Sequence, residues 1–190
     1  MKGTTRTIGA ARAFWLVLGI ACLATHSQSA QASSAAELDR DSKVALEKLL
    51  TANDGARALA KEAHAVLVFP RIVKGGFVFG GQFGDGALRE GGRAKGYYRS
   101  IAASYGLQAG LQQFGYALFF MNEKALHYFH ESQGFELGVG PSIVVLDHGM
   151  AGALSTTTAR SDIYAVFFDQ KGLMAGLGIQ GTKITPIHPH

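Results

Sequence analysis

The sequence predicts an α+β domain: N-terminal amphipathic helices packed on a strongly coiled, glycine-rich antiparallel sheet or small barrel. Three observations carry that expectation. Helical periodicity is concentrated in residues 33–63, with one further short stretch near residue 122. After Ala65 the chain becomes rich in Gly, Val, Phe, Tyr and Thr, a composition suited to strands and their turns. A ten-residue pattern also occurs twice. "GLQAGLQQFG" starts at Gly106 and "GLMAGLGIQG" at Gly172, with Gly, Leu, Ala, Gly, Leu and the final Gly at the same offsets.

The first 32 residues have the layout of a secretory signal peptide. Lys2, Arg6 and Arg12 form a basic start, Ala13 to Ala24 an apolar run, and Ala30 and Ala32 a small-residue cleavage site. The run is short for a membrane span. Cys22 follows "LGIA", which loosely resembles a lipoprotein box, but Gly19 stands where that box wants an aliphatic residue, so lipidation is the minority expectation. The expected organisation is a leader over 1–32 and a single domain over 33–190, with 185–190 a loose tail. Cleavage at Ala32 removes the one cysteine, which excludes disulfides and a thiol nucleophile from the exported chain. It also takes Lys+Arg from 18 to 15 against 14 acids, a net charge of +1, so no global field for nucleic acid is expected. The expected location is the periplasm or the envelope membrane.

Ser34 and Glu37 have capping-box spacing at the start of the first helix. Leu38, Ala45, Leu49 and Ala52 recur on one face, and Asp39, Arg40, Lys43, Glu47 and Lys48 decorate the rest. Asn53 caps a second helix with Ala56, Leu59, Ala60 and Ala63 inward. "AVLVFP" then reads as a strand stopped by Pro70. "NEKALHYFHESQG" is the later helix, capped by Asn122, with Ala125, Leu126 and Phe129 inward and Gly134 at its end. "YYRSIAASY", "YALFFM", "SIVVLD", "IYAVFFD" and "TKITPI" complete the predicted strands.

The repeated pattern fits strands best. Three glutamines within 106–121 spoil a membrane span. Interior glycines cost a soluble helix about 1 kcal/mol each, and no Gly-Lys-Ser/Thr ending marks a phosphate loop. Alternate strand residues share a face. Gly106 and Gly110 then lie beside Gln108 and Gln112, opposite Leu107, Ala109 and Leu111; Gly172, Gly176 and Gly178 lie opposite Leu173, Ala175, Leu177 and Ile179. "GFVFGGQFGDG" sets Gly76, Gly80, Gly84 and Gly86 against Phe77, Phe79 and Phe83, and "ELGVGPS" sets Gly138 and Gly140 against Leu137 and Val139. Glycine weakens a strand unless coiling or close approach needs the room. The body that approaches is expected to be a helix or an acyl chain.

At "FPRIVKGGFVFGGQFGDG", "SYGLQAGLQQFGYALFFMNEKAL", "FELGVGPSIVV" and "KGLMAGLGIQGTKI" the chain resembles the SYLF domain family, in particular its bacterial, exported, lipid-binding branch. The resemblance runs from about Ala36 to Ile187. Tyr98 departs from it, since relatives often carry Trp there. The resemblance implies helices plus a β-rich body, no catalysis, and binding to anionic phospholipid headgroups. In eukaryotic relatives it implies phosphoinositides and, for some yeast members, actin; neither carries over to an exported bacterial-type protein.

The basic residues Arg71, Lys74, Arg89, Arg93, Lys95 and Arg99 are the expected lipid-binding set. Arg71 and Lys74 follow Pro70, and the other four surround the glycine-rich "EGGRAKG". Exposed backbone N–H groups beside cations can hold a phosphate, and each cation at an anionic surface contributes about 1 kcal/mol. The competing reading is a solvated basic edge that blocks strand pairing. Tyr97 and Tyr98 suit either a headgroup level or an ordinary strand. No cofactor or metal is expected, because nothing completes a ligand set around His127, His130 and Glu131. Asp147 and His148 with Ser142 or Ser155 lack a nucleophile elbow, so no hydrolase is expected. The predicted partner is an anionic phospholipid surface. The alternative is an envelope scaffold that binds another protein through its sheet.

Overall fold

The computed structural model describes residues 34–76, 79–105, 110–132, 134–146, 161–172 and 181–190. The expected leader, most of the second glycine repeat, and Asp147, His148 and Ser155 lie outside the described residues.

Both N-terminal helices start where their caps predict. In α1 (Ala35–Ala52) the Ser34 hydroxyl accepts from the Glu37 N–H at 3.2 Å, while the Ser34 N–H donates to the Glu37 carboxylate at 3.0 Å. Asn53 caps α2 (Asp54–Glu62) by accepting from the Ala56 N–H at 2.9 Å. The buried face of α1 is Leu38, Ser42 and Leu49, not Ala52, which is exposed. α3 (Glu123–Glu131) is capped by Asn122 and buries Ala125 and Phe129.

Among the described residues, eight strands form one sheet: β1 (Ala65–Gly76), β2 (Phe79–Glu90), β3 (Arg93–Tyr105), β4 (Gly110–Phe120), β5 (Phe135–Glu136), β6 (Ile143–Leu146), β7 (Ile163–Gly172) and β8 (Lys183–Ile187). Their order is β5-β8-β3-β2-β1-β4-β7-β6, curled into a half-barrel. The sheet is mostly antiparallel, with one parallel pair: β6 runs parallel to β7, pairing Ile143 with Ile163 through Leu146 with Val166. A parallel neighbour requires a connection of about a dozen residues or more, and 16 residues separate Leu146 from Ile163 in the chain.

Pro70 does not stop the first strand. β1 continues to Gly76 through a bulge, where the register slips between Phe69 and Ile72 against β4 and between Val68 and Val73 against β2. A bulge releases the ladder N–H that proline lacks. "ELGVGPS" is not a glycine-faced strand either, because pairing ends at Glu136 and Gly138 and Gly140 take positive φ in the turn that follows. The expected tail instead joins the sheet: Thr185, Pro186 and Ile187 pair with Arg99, Tyr98 and Tyr97, and the His190 carbonyl accepts from the Ala35 N–H. β2 and β3 meet in a two-residue turn with Gly91 and Gly92 both at positive φ, the geometry that suits a tight hairpin.

Strand alternation gives the sheet two packed faces. One carries Leu67, Phe69, Ile72, Phe114, Tyr116, Leu118 and Phe167 under α3. The other carries Val66, Val68, Ala117, Phe119, Val166 and Phe168 under Leu49 of α1 and Ala56 and Leu59 of α2. The glycine face of β2 lies on the α3 side, as the alternation predicts, but the chain's own side chains occupy the room. A Cβ on Gly86 would collide with the Val68 carbonyl oxygen and come within 2.7 Å of the Phe69 ring, and one on Gly84 would collide with the Arg71 carbonyl oxygen. Phe69 stacks at 4.8 Å on Tyr116, whose hydroxyl donates to Ser100 at 2.7 Å across the same strip. At Gly84 and Gly86 the neighbour that approaches is thus β1 itself, with its backbone carbonyls and the Phe69 ring.

Candidate functional site

The six basic residues do not converge. Arg89 is 6% exposed and holds α1 to the sheet: its guanidinium pairs with Asp39, donates to Ser42 Oγ at 3.1 Å, and donates to the Gly92 carbonyl at 2.7 Å. Its guanidinium is thus engaged by the protein's own groups. Lys74 is buried on the α3 face between Gln82 and Gln112. Arg99 makes a two-pronged pair with Asp85 at 2.7 and 2.8 Å, and that hydrogen-bonded carboxylate raises its pKa further above the usual arginine range. Arg93 and Lys95 are exposed next to the β2–β3 turn, and Arg71 is exposed at the β1 bulge. Arg93 and Ile101 are eight residues apart on one strand, roughly 26 Å.

A surface that composition alone does not single out lies on the opposite side from Lys74. Below the helices, one cross-strand row on the α1–α2 face reads Lys171, Gln113, Val73, Phe83, Ile101, Lys183. The next row contains Leu111, Gly75, Gly81 and Ala103. Phe83 is 59% exposed, Ile101 49% and Leu111 69%. Lys171, Lys183 and Arg71 are all exposed around this apolar group, and the Arg99–Asp85 pair borders it. The signal was present in "GFVFGGQFGDG": its alternation separates phenylalanine from glycine, and Phe83 faces out because Gly84 must face in.

The two tyrosines of "GYYRS" have different surroundings. Tyr98 packs on Phe129 with ring centroids 4.8 Å apart, and burial, followed by the nearby Glu90 charge, raises its pKa. Tyr97 is half-buried opposite Ile187. Burial pushes the Tyr116 hydroxyl far up, so it stays protonated as a donor.

At the other end of the fold a pocket of about 430 Å³ opens beside α3, walled by Lys124, His127, Tyr128, Glu131, Pro141 and Asp162. Its acids are already engaged. Glu131 lies 3.2 Å from His127. Asp162 accepts from the Ser142 N–H and hydroxyl at 2.8 Å each and from the Asn122 amide at 2.9 Å, bonds that hold its pKa below the ordinary range. Ser142 is therefore a structural donor to Asp162. His130 faces Glu90 at 3.6 Å.

The geometry describes a compact sheet module with an uncovered apolar patch framed by cations. Residues 101–188 match the model of the Ysc84 family, described as Las17-binding protein actin regulator, the family of SYLF domains. The match takes in the end of β3 and all of β4 to β8 with α3, somewhat under half of the chain; the N-terminal helices, β1 and β2 lie outside it. No curated protein matches the sequence.

Proposed function

We propose that this protein is an exported, non-catalytic phospholipid-binding domain that docks on the anionic surface of an envelope membrane. One observation supports this reading above the others: Phe83, Ile101 and Leu111 stand uncovered inside a frame of Arg71, Lys171 and Lys183. Exposed contiguous apolar surface marks an interaction site, and a cationic rim matches it to an anionic bilayer. Each bulky side chain entering the acyl boundary contributes about 1.5–3 kcal/mol, and each cation about 1 kcal/mol. Arg93 and Lys95, at the far end of β3, reach the same surface only if the long axis of β3 lies along it. Arg89 and Lys74 have no part in this contact.

Cosedimentation with phosphatidylglycerol and phosphatidylcholine vesicles tests the reading. The wild type is expected to pellet with phosphatidylglycerol, to release as salt rises, and to lose at least tenfold in affinity in Phe83→Asp/Leu111→Asp. Equal binding to both lipids, or indifference to that double change, rejects it. The family description names a protein-binding actin regulator, and an apolar sheet face also suits a protein partner. In that second reading the face binds no vesicle and its interaction resists salt.

A further inference from the structure

The pocket beside α3 carries opposite charges along one helix face, with apolar walls between them. Lys124, Tyr128 and Glu131 recur at i, i+4 and i+7 on that face, and all three line the pocket. Seven residues of α-helix rise about 10.5 Å, which separates the roots of the Lys124 ammonium and the Glu131 carboxylate. Tyr128 stands between them, 41% exposed, and Pro141 of the β5–β6 connection lines the same space. A Cβ on Gly140 would come within 2.7 Å of the Tyr128 ring, so this connection presents bare backbone to it. The cavity, about 430 Å³, is of small-molecule size.

The charged groups differ in how far they are already matched. Asp162 accepts three hydrogen bonds, and its ionised form is favoured first by the Ser142 N–H and least by the charge of Lys124. Glu131 gives one oxygen to His127 at 3.2 Å, and its second meets no donor among the described residues. Among those residues, Lys124 makes no hydrogen bond or ion pair, and the Tyr128 hydroxyl makes no hydrogen bond. Nor do the acids and histidine form a group able to hold a metal ion among the described residues.

We infer that this pocket binds a short peptide with free termini, about three residues long, its ammonium at Glu131, its carboxylate at Lys124 and an apolar middle side chain on Tyr128. A bare anion finds Lys124 but meets Asp162 and Glu131. A bare cation finds the acids but meets Lys124. A ligand that carries both charges satisfies both ends. An extended chain spans at most about 3.3–3.6 Å per residue, so three residues match the rise from Lys124 to Glu131, and a single amino acid reaches one end only. The Tyr128 hydroxyl, donor and acceptor in one, is left for the peptide backbone. The pocket and the Phe83–Leu111 patch lie on opposite faces of the sheet, so the inference does not depend on the membrane reading.

The test is calorimetry on the full chain with the tripeptide Ala-Leu-Ala, its N-acetyl form, its C-terminal amide, the doubly blocked form and the dipeptide Ala-Leu. Blocking either terminus is expected to weaken binding about fivefold, the worth of one ion pair at a partly exposed site. The dipeptide, which reaches one end, should bind no better than a singly blocked tripeptide. Glu131→Gln should abolish the effect of acetylation and keep that of amidation, and Lys124→Met should do the reverse. Both side chains are exposed, so neither change threatens the fold, which circular dichroism checks. Lys171→Met, on the other face, should change nothing. If no peptide binds, or if the two variants weaken every form equally, the charged ends do not read the termini and the inference fails. Binding of the doubly blocked form as tight as that of the free tripeptide assigns the pocket to a segment within a longer protein chain, and likewise overturns it.

Discussion

At the scale of single residues, the glycines of β2 act by what they leave out. Gly86 lets the Val68 carbonyl and the Phe69 ring come within distances that no Cβ tolerates, and the obstacle is backbone, which cannot rotate away. Gly86→Ala is therefore expected to destabilise the protein by about 3 kcal/mol, the upper end of overpacking costs, measured by urea unfolding. A loss below about 1 kcal/mol means the bulge in β1 can shift, and the tight β1–β2 approach is not required. Asp162 offers a residue-scale test with pH. Its hydrogen bonds to Ser142 and Asn122 hold its folded pKa below the unfolded value. The stabilisation is therefore complete above the ordinary Asp pKa of about 3.9 and disappears as pH falls through the folded pKa. Asp162→Asn should be less stable than wild type at pH 7, with the gap closing on acidification. A gap that is constant with pH assigns the loss to packing, not to the carboxylate charge.

At the scale of elements, α1 is attached by the exposed Lys48–Asp169 pair and by a more buried one, as well as by Leu38 and Leu49. Asp39 reaches Arg89, and Ser42 contributes its hydroxyl to the same guanidinium. That explains why a serine occupies a fully buried helix position. Removing the carboxylate leaves a buried cation with neutral partners only. Breaking a fully buried pair costs 3–5 kcal/mol, and because the Asp39 side chain is 46% exposed, solvent screening lowers the expected cost of Asp39→Ala to about 2 kcal/mol. Arg89→Met combined with Asp39→Leu should cost less than the sum of the two single changes, read from urea midpoints. Strict additivity shows that the pair does not couple α1 to β2. Arg89→Met is also expected to leave vesicle binding intact, which separates this arginine from the exposed cations.

At the scale of the whole molecule, the curl of the sheet and the placement of α1, α2 and α3 decide which surface stays exposed among the described residues. α3 lies on one face, α1 and α2 cover part of the other, and the remainder is the row from Lys171 to Lys183. That row draws on β1, β2, β3, β4, β7 and β8, so the candidate membrane face exists only in the assembled sheet. Its cations come from positions 71, 171 and 183, far apart in the chain and spread through a sequence of nearly balanced charge. A membrane contact of this kind depends on local arrangement, not on net charge, and the vesicle assay interrogates the assembled face.

Much of the architecture was legible in the sequence because it rests on short-range chemistry. Ser34, Asn53 and Asn122 declare helix starts through side chains that reach three residues onward, and the alternation of Gly84 and Gly86 with Phe83 assigns strand faces by backbone geometry alone. What the tertiary structure decided depends on partners distant in the chain. Which arginine is buried follows from Asp39 of α1 meeting Arg89 of β2. Whether Pro70 ends a strand follows from slips in register against β2 and β4 that absorb its missing donor. What fills the glycine strip follows from Phe69 and Tyr116 of neighbouring strands lying across it. Composition reports that such residues exist; only cross-strand register, set by the closure of loops between remote segments, determines which of them meet.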